Sequence, residues 1–200
     1  TITPQYLSDL ISWGAIGART TESQVHRQIV SGLSMPVGFK NGTSGNIKIA
    51  IDGIISSNNQ HCFMGITNKG EASICRTLGN PDSHIILRGG EKNPNYYKKN
   101  LDNLEKEMEL KNLNIGYIVD CSHGNSKKNY KNQPKVFNYL MNQKIAGRNK
   151  LIGIMLESNI YEGKQDILPK DQLKYGISIT DSCLSFQQTE NLILEYYNTI

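Results

Sequence analysis

Apolar and polar residues fall in alternating blocks along this 200-residue chain, and block length separates strands from helices. Short apolar runs bounded by turn residues occur at 14–18, 36–39, 83–87, 115–121 and 151–156, and each predicts a buried strand. Between them the apolar residues recur at helical spacing. Helices are predicted over 5–12 (Tyr6, Leu7, Leu10 and Ile11 on one side), 25–32, 46–56, 97–111, 135–146 and 188–198. The turn Asn41-Gly42-Thr43-Ser44-Gly45 offers an N-cap for the helix that follows it. Segments 61–67 and 72–77 flank Asn68-Lys69-Gly70, which is a hairpin signal. Strand and helix alternate with one hairpin inserted, so an α/β fold with a parallel sheet is expected. No linker or low-complexity stretch divides residues 1–200, which are expected to form one domain.

Five of the apolar runs stop on one ionisable residue each: Arg19, Lys40, Arg88, His123 and Glu157. In parallel α/β proteins, and above all in (β/α)8 barrels, the C-terminal rim of the sheet carries the chemistry. Alternation then places Gly17 below Arg19, Gly38 below Lys40, Cys121 below His123, and Gly153 and Met155 below Glu157. Two arginines and a lysine suit an anion that carries phosphate and carboxylate. His123 and Glu157 suit a borderline divalent metal, and Asp181 on the last loop could supply a third ligand. Taken alone, the rim histidine could equally be a hydrogen-bonded structural residue and the glutamate a surface carboxylate. His26, His61 and His84 are read as structural, Arg76 as solvated and Trp13 as core.

Composition narrows the classes. Lysine and arginine number 22 against 18 acidic residues, a net charge of +4 that fits a solvated lysine-rich surface. The basic residues form only doublets, Lys98-Lys99 and Lys127-Lys128, without the interleaved aromatics that nucleic-acid binding calls for. No apolar run approaches the roughly 18 residues of a membrane helix. No signal-peptide pattern opens the chain. The four cysteines (Cys62, Cys75, Cys121, Cys183) share no C-x-x-C spacing, so they are expected to be mostly buried thiols in a cytoplasmic protein.

Longer motifs carry a family likeness. The runs Gly14-Ala15-Ile16-Gly17-Ala18-Arg19-Thr20-Thr21-Glu22-Ser23-Gln24 and Pro36-Val37-Gly38-Phe39-Lys40-Asn41-Gly42-Thr43 resemble signatures of type I 3-deoxy-D-arabino-heptulosonate-7-phosphate (DAHP) synthase. So do Ile85-Ile86-Leu87-Arg88-Gly89-Gly90, Ser122-His123-Gly124-Asn125-Ser126 and Ser178-Ile179-Thr180-Asp181. The resemblance implies a (β/α)8 barrel that condenses phosphoenolpyruvate with erythrose 4-phosphate, the first step toward aromatic amino acids. It implies that Arg19, Lys40 and Arg88 hold phosphoenolpyruvate, with Lys40 a proton donor as well. It implies that His123, Glu157 and Asp181 are three of four metal ligands (Mn, Fe, Co or Zn), with Asp181 also beside the sugar aldehyde.

The family's fourth ligand, an upstream cysteine, and its Lys-Pro-Arg-Thr motif for the sugar phosphate have no counterpart here, and Cys121 is no substitute. The chain is therefore expected to be an incomplete barrel: about five C-terminal βα units plus the hairpin, entered in the helix before the fourth strand. The piece alone is expected to be inactive, and the full protein a homo-oligomer. The hairpin at 61–77 matches the place where this family builds a feedback site for an aromatic amino acid. Gly65 points to tyrosine-regulated members and Gly124 to tryptophan-regulated ones, which leaves the effector open. The alternatives are the related octulosonate-phosphate synthase, disfavoured by the Gly-Ala-Arg-Thr-Thr-Glu-Ser run and the hairpin, and a non-catalytic remnant or binding module.

Overall fold

The computed structural model describes residues 8–67 and 69–199. Five parallel strands form one sheet: β1 (Gly14–Ile16), β2 (Val37–Lys40), β5 (Ser83–Leu87), β6 (Tyr117–Asp120) and β7 (Leu151–Met155), in the order β1-β2-β5-β6-β7. Helices α1 (Gln24–Val30), α2 (Lys48–Ser57), α3 (Lys98–Leu110) and α4 (Gln133–Ile145) connect them, and α5 (Phe186–Tyr197) ends the chain. Strands β3 (Cys62–Ile66) and β4 (Ala72–Arg76) pair antiparallel as the inserted hairpin. Each new sheet strand adds beside the last, all in one direction. That is the winding of a (β/α)8 barrel, of which this chain supplies five strands.

Alternation along each strand divides the sheet into two faces. Val37, Phe39, Ile85, Leu87, Tyr117 and Val119 face the helices and pack with Ile51, Ile54, Leu101, Leu104, Met108, Val136 and Leu140 into one core. The other face belongs to the barrel interior. Gly38 lies there, where an added Cβ would come within 2.4 Å of Ile86 Cδ1 and 3.0 Å of His84 Nε2. A small residue below Lys40 is thus a packing requirement.

Several sequence expectations need correction. The helix over 5–12 is, among the described residues, only a 3-10 turn at Ser8–Leu10, and residues 1–7 lie outside the described part. β1 stops at Ile16, so Arg19 does not end the strand; the Gly17 carbonyl instead accepts from the Thr20 and Thr21 N–H groups and turns the chain. β6 stops at Asp120, because the Asp120 side chain accepts from Ser122 N at 2.9 Å and starts a turn. The alternation of Cys121 with His123 therefore fails, and Cys121 points into the helix-packed core. Trp13 is 37% exposed, and its indole N–H donates to His84 Nε2 at 3.0 Å. Cys121 and Cys183 are buried as expected, while Cys62 is exposed and Cys75 half-buried. The 41–45 turn supplies no cap. Asn46 Oδ1 accepts from Lys48 N instead, and α2 begins there.

Candidate functional site

The C-terminal tips of β2, β5, β6 and β7 converge on a polar cluster. Its base is a buried amide network. Asn41 Oδ1 accepts from Arg88 N at 2.8 Å and from Asn95 Nδ2 at 3.1 Å. Asn95 Oδ1 accepts from Gly89 N at 2.8 Å, and Asn125 Nδ2 donates to the carbonyls of Leu87 and Asp120. These side chains satisfy backbone groups that the ending strands leave without a ladder partner. They also lock the tips of β2, β5 and β6 to one another.

On this base sits Asp120, 1% exposed. Its Oδ2 accepts from Lys40 Nζ at 2.8 Å and lies 2.9 Å from His123 Nδ1. β2 and β6 are not neighbours in the sheet, so the Lys40–Asp120 pair spans across β5. Burial pushes the Asp120 carboxyl up, but His123 and Lys40 outweigh it and hold the group below the usual carboxylate range.

His123 takes a left-handed backbone, φ 49°, in the turn after β6. With Nδ1 against Asp120, its Nε2 faces Glu157 Oε1 at 3.6 Å and Asp181 Oδ2 at 3.8 Å. One ligand atom from each of the three residues lies within 4.8 Å of the other two. Those gaps are too long for hydrogen bonds. They approach the edge of a tetrahedron with ligand bonds of about 2.1 Å, which is about 3.4 Å. One imidazole and two carboxylates are a donor set for a borderline divalent cation, so the residues fit a metal. Two neighbours fix Glu157 in place. Ser122 Oγ donates to its Oε2 at 2.6 Å, and Gln133 at the start of α4 bonds its backbone N–H and C=O. Asp181 is placed by the last loop, where Leu184 N donates to the Glu157 carbonyl and β8 (Ser158–Asn159) pairs with β9 (Leu184–Ser185).

The structure thus joins Lys40, His123, Glu157 and Asp181 in one cluster. Arg88 stands beside them at the tip of β5, 9% exposed. Arg19 stands apart on the exposed turn after β1, at a polar hollow it shares with Glu22, Thr43, Ser44 and Asn46. Sequence reasoning missed Asp120, Ser122 and Gln133. For Asp120 a signal existed: a carboxylate closing the apolar run Tyr117-Ile118-Val119, where burial demands a partner.

The pattern of the DAHP synthetase I family matches residues 1–194. The chain belongs to that family. It is 50% identical over 198 residues to the "Phospho-2-dehydro-3-deoxyheptonate aldolase, Tyr-sensitive" of Escherichia coli (strain K12), covering 98% of this chain and 55% of that protein. It is 48% identical over 201 residues to the phenylalanine-inhibited aldolase of Saccharomyces cerevisiae, covering 96% of this chain and 54% of that protein. The phospho-2-dehydro-3-deoxyheptonate aldolase of Francisella tularensis superposes with a TM-score of 0.93 at 43% identity, over 98% of this chain and 57% of that one. The chain spans about half the length of these curated relatives. The family likeness read from the sequence and the incomplete barrel agree with these findings.

Proposed function

We propose that the protein carrying this chain condenses phosphoenolpyruvate with erythrose 4-phosphate to give DAHP and phosphate, as a metal-dependent transferase of the shikimate pathway. The observation that carries this reading is the junction at Asp120. One buried carboxylate ties a cation at the tip of β2 to a histidine that faces two further metal-type ligands. An anion site and a cation site therefore share one wall.

In this reading Lys40 and Arg88 hold the phosphate and carboxylate of phosphoenolpyruvate, and Arg19 reaches the same anion from the β1 turn. His123, Glu157 and Asp181 hold the metal, with Asp181 also beside the aldehyde of the sugar. When bound, a divalent metal supplies Lewis-acid polarisation of the aldehyde oxygen or positions a water. C3 of phosphoenolpyruvate bonds to the aldehyde carbon, and the aldehyde oxygen takes a proton to become a hydroxyl. Water adds at C2 and loses one proton; the bond from C2 to the bridging oxygen of the phosphate then breaks, the new C2 hydroxyl gives its remaining proton to the departing phosphate, and a ketone is left behind. In this reading Lys40 also acts as a proton donor. The cations stabilise the charge that grows on the leaving phosphate.

The hairpin packs near α1 around a hollow of about 970 Å³ lined by Val25, Ile29, Phe63, Gly65, Cys75 and Thr77. Its apolar walls support an aromatic amino-acid effector there. Met64 and Ile74 on the hairpin are 71% and 64% exposed, which supports a homo-oligomer that covers them. Among the described residues no helix is long and apolar enough to cross a membrane. In this reading the protein is cytoplasmic, its cysteines too widely spaced for a disulfide framework. Residues 1–200 form one partial catalytic domain in this reading. Among the described residues the outer edges of β1 and β7 are unpaired, and we expect the 200-residue polypeptide by itself to be inactive. A coupled assay with erythrose 4-phosphate and arabinose 5-phosphate tests the substrate; preference for the pentose would favour octulosonate-phosphate synthesis instead.

A further inference from the structure

Asp120 stands outside the substrate and metal residues named so far, yet it touches both sets. An ionised carboxylate only accepts hydrogen bonds. Its Oδ1 accepts from Ser122 N at 2.9 Å, and its Oδ2 serves Lys40 Nζ at 2.8 Å and faces His123 Nδ1 at 2.9 Å. Nδ1 is buried and makes no well-aligned hydrogen bond among the described residues; the Asp120 carboxylate oxygen, 2.9 Å away, is the acceptor beside it. An acceptor-only group beside Nδ1 favours the imidazole proton there, which leaves the Nε2 lone pair free. Nε2 is the nitrogen turned toward Glu157 and Asp181. The backbone reinforces this orientation. His123 sits at φ 49°, an uncommon conformation for a non-glycine residue, with its carbonyl held by Lys128 N at 2.8 Å and by Ser126 Oγ at 3.3 Å.

We infer that Asp120 is a positioning residue: it fixes the tautomer and ring direction of His123 for metal binding, while the same carboxylate holds the Lys40 ammonium. This rests on the metal-dependent reading above. Because one oxygen faces both Lys40 and His123, metal-ligand orientation and the anion-binding lysine are set by the same atom.

The informative variant is Asp120→Asn in the protein expressed from its complete reading frame. With the amide oxygen on Ser122 N, its NH2 faces Nδ1, and the imidazole proton moves to Nε2, the metal-facing nitrogen. Mn²⁺ binding measured by calorimetry should weaken about 10- to 100-fold in Asp120→Asn. Retention of Mn²⁺ affinity within about 3-fold, against that expected range, would overturn the positioning role alone. No Mn²⁺ binding by the wild-type protein would overturn the metal reading and the positioning role with it. A second measurement does not depend on the variant folding. Nitrogen-15 NMR of the histidine-labelled, metal-free wild-type protein, with His123 assigned by its loss in His123→Gln, should show the Nδ1–H tautomer. The Nε2–H tautomer there would refute the proposal.

Discussion

At the residue scale, two glycines set how closely the tip loops approach. A Cβ on Gly89 would meet Asn125 N and the Gly124 carbonyl carbon at 2.5 Å, and its φ is +74°. One on Gly124 would meet the Gly90 carbonyl oxygen at 2.5 Å. The contacts are backbone on backbone, so nothing can swing aside, and they hold the Arg88 loop against the His123 loop. Gly89→Ala should cost about 1–3 kcal/mol in denaturant unfolding; an unchanged midpoint would contradict the close approach. Burial lowers the pKa of His84, opposed only in part by the Nδ1 contact with the Asp82 carbonyl. The folded value lies below the unfolded 6.5, so the stability that neutral His84 contributes is full above 6.5 and is lost as pH falls through 6.5 toward the folded value. Proton NMR titration should place His84 below 6.5. Thiols should divide in the same way: exposed Cys62 reacts with iodoacetamide in the native state, while buried Cys121, its pKa pushed up by desolvation, reacts only on unfolding.

At the element scale, Ser185 and Gln188 cap the start of α5 reciprocally, each side chain accepting a hydrogen bond from the other's backbone N–H. Ser185→Ala should cost about 0.5–2 kcal/mol in thermal or denaturant unfolding. That box was legible as Ser-x-x-Gln, and it moves the start of α5 from the predicted 188 to Phe186. The elements themselves were legible because apolar runs such as 83–87 and the helical spacing in α3 report burial directly. Strand ends were less so. β1 and β6 stop early through local hydrogen bonds of Gly17 and Asp120, which periodicity does not register. The candidate ligands were legible as rim residues and, through motif likeness, as a set. Asp120 was legible only as a buried carboxylate in need of a partner; which partners it serves was not, because one of them stands on a strand two places away in the sheet.

At the scale of the whole molecule, five barrel strands bring together three metal-type ligands and the cations Lys40 and Arg88, and among the described residues the sheet is open at β1 and β7. The Escherichia coli and Saccharomyces cerevisiae relatives are nearly twice its length, so the proposed activity is that of a protein in which the sheet is closed. The hairpin forms a two-stranded sheet of its own, and the apolar hollow beside it is lined by Val25 and Ile29 of α1. The most direct test of the account is DAHP formation by the protein from its complete reading frame, assayed with phosphoenolpyruvate and erythrose 4-phosphate before and after metal chelation. The account predicts turnover that chelation abolishes and a divalent cation restores. Turnover undiminished by chelation, or none with this pair of substrates at any metal concentration, would contradict it.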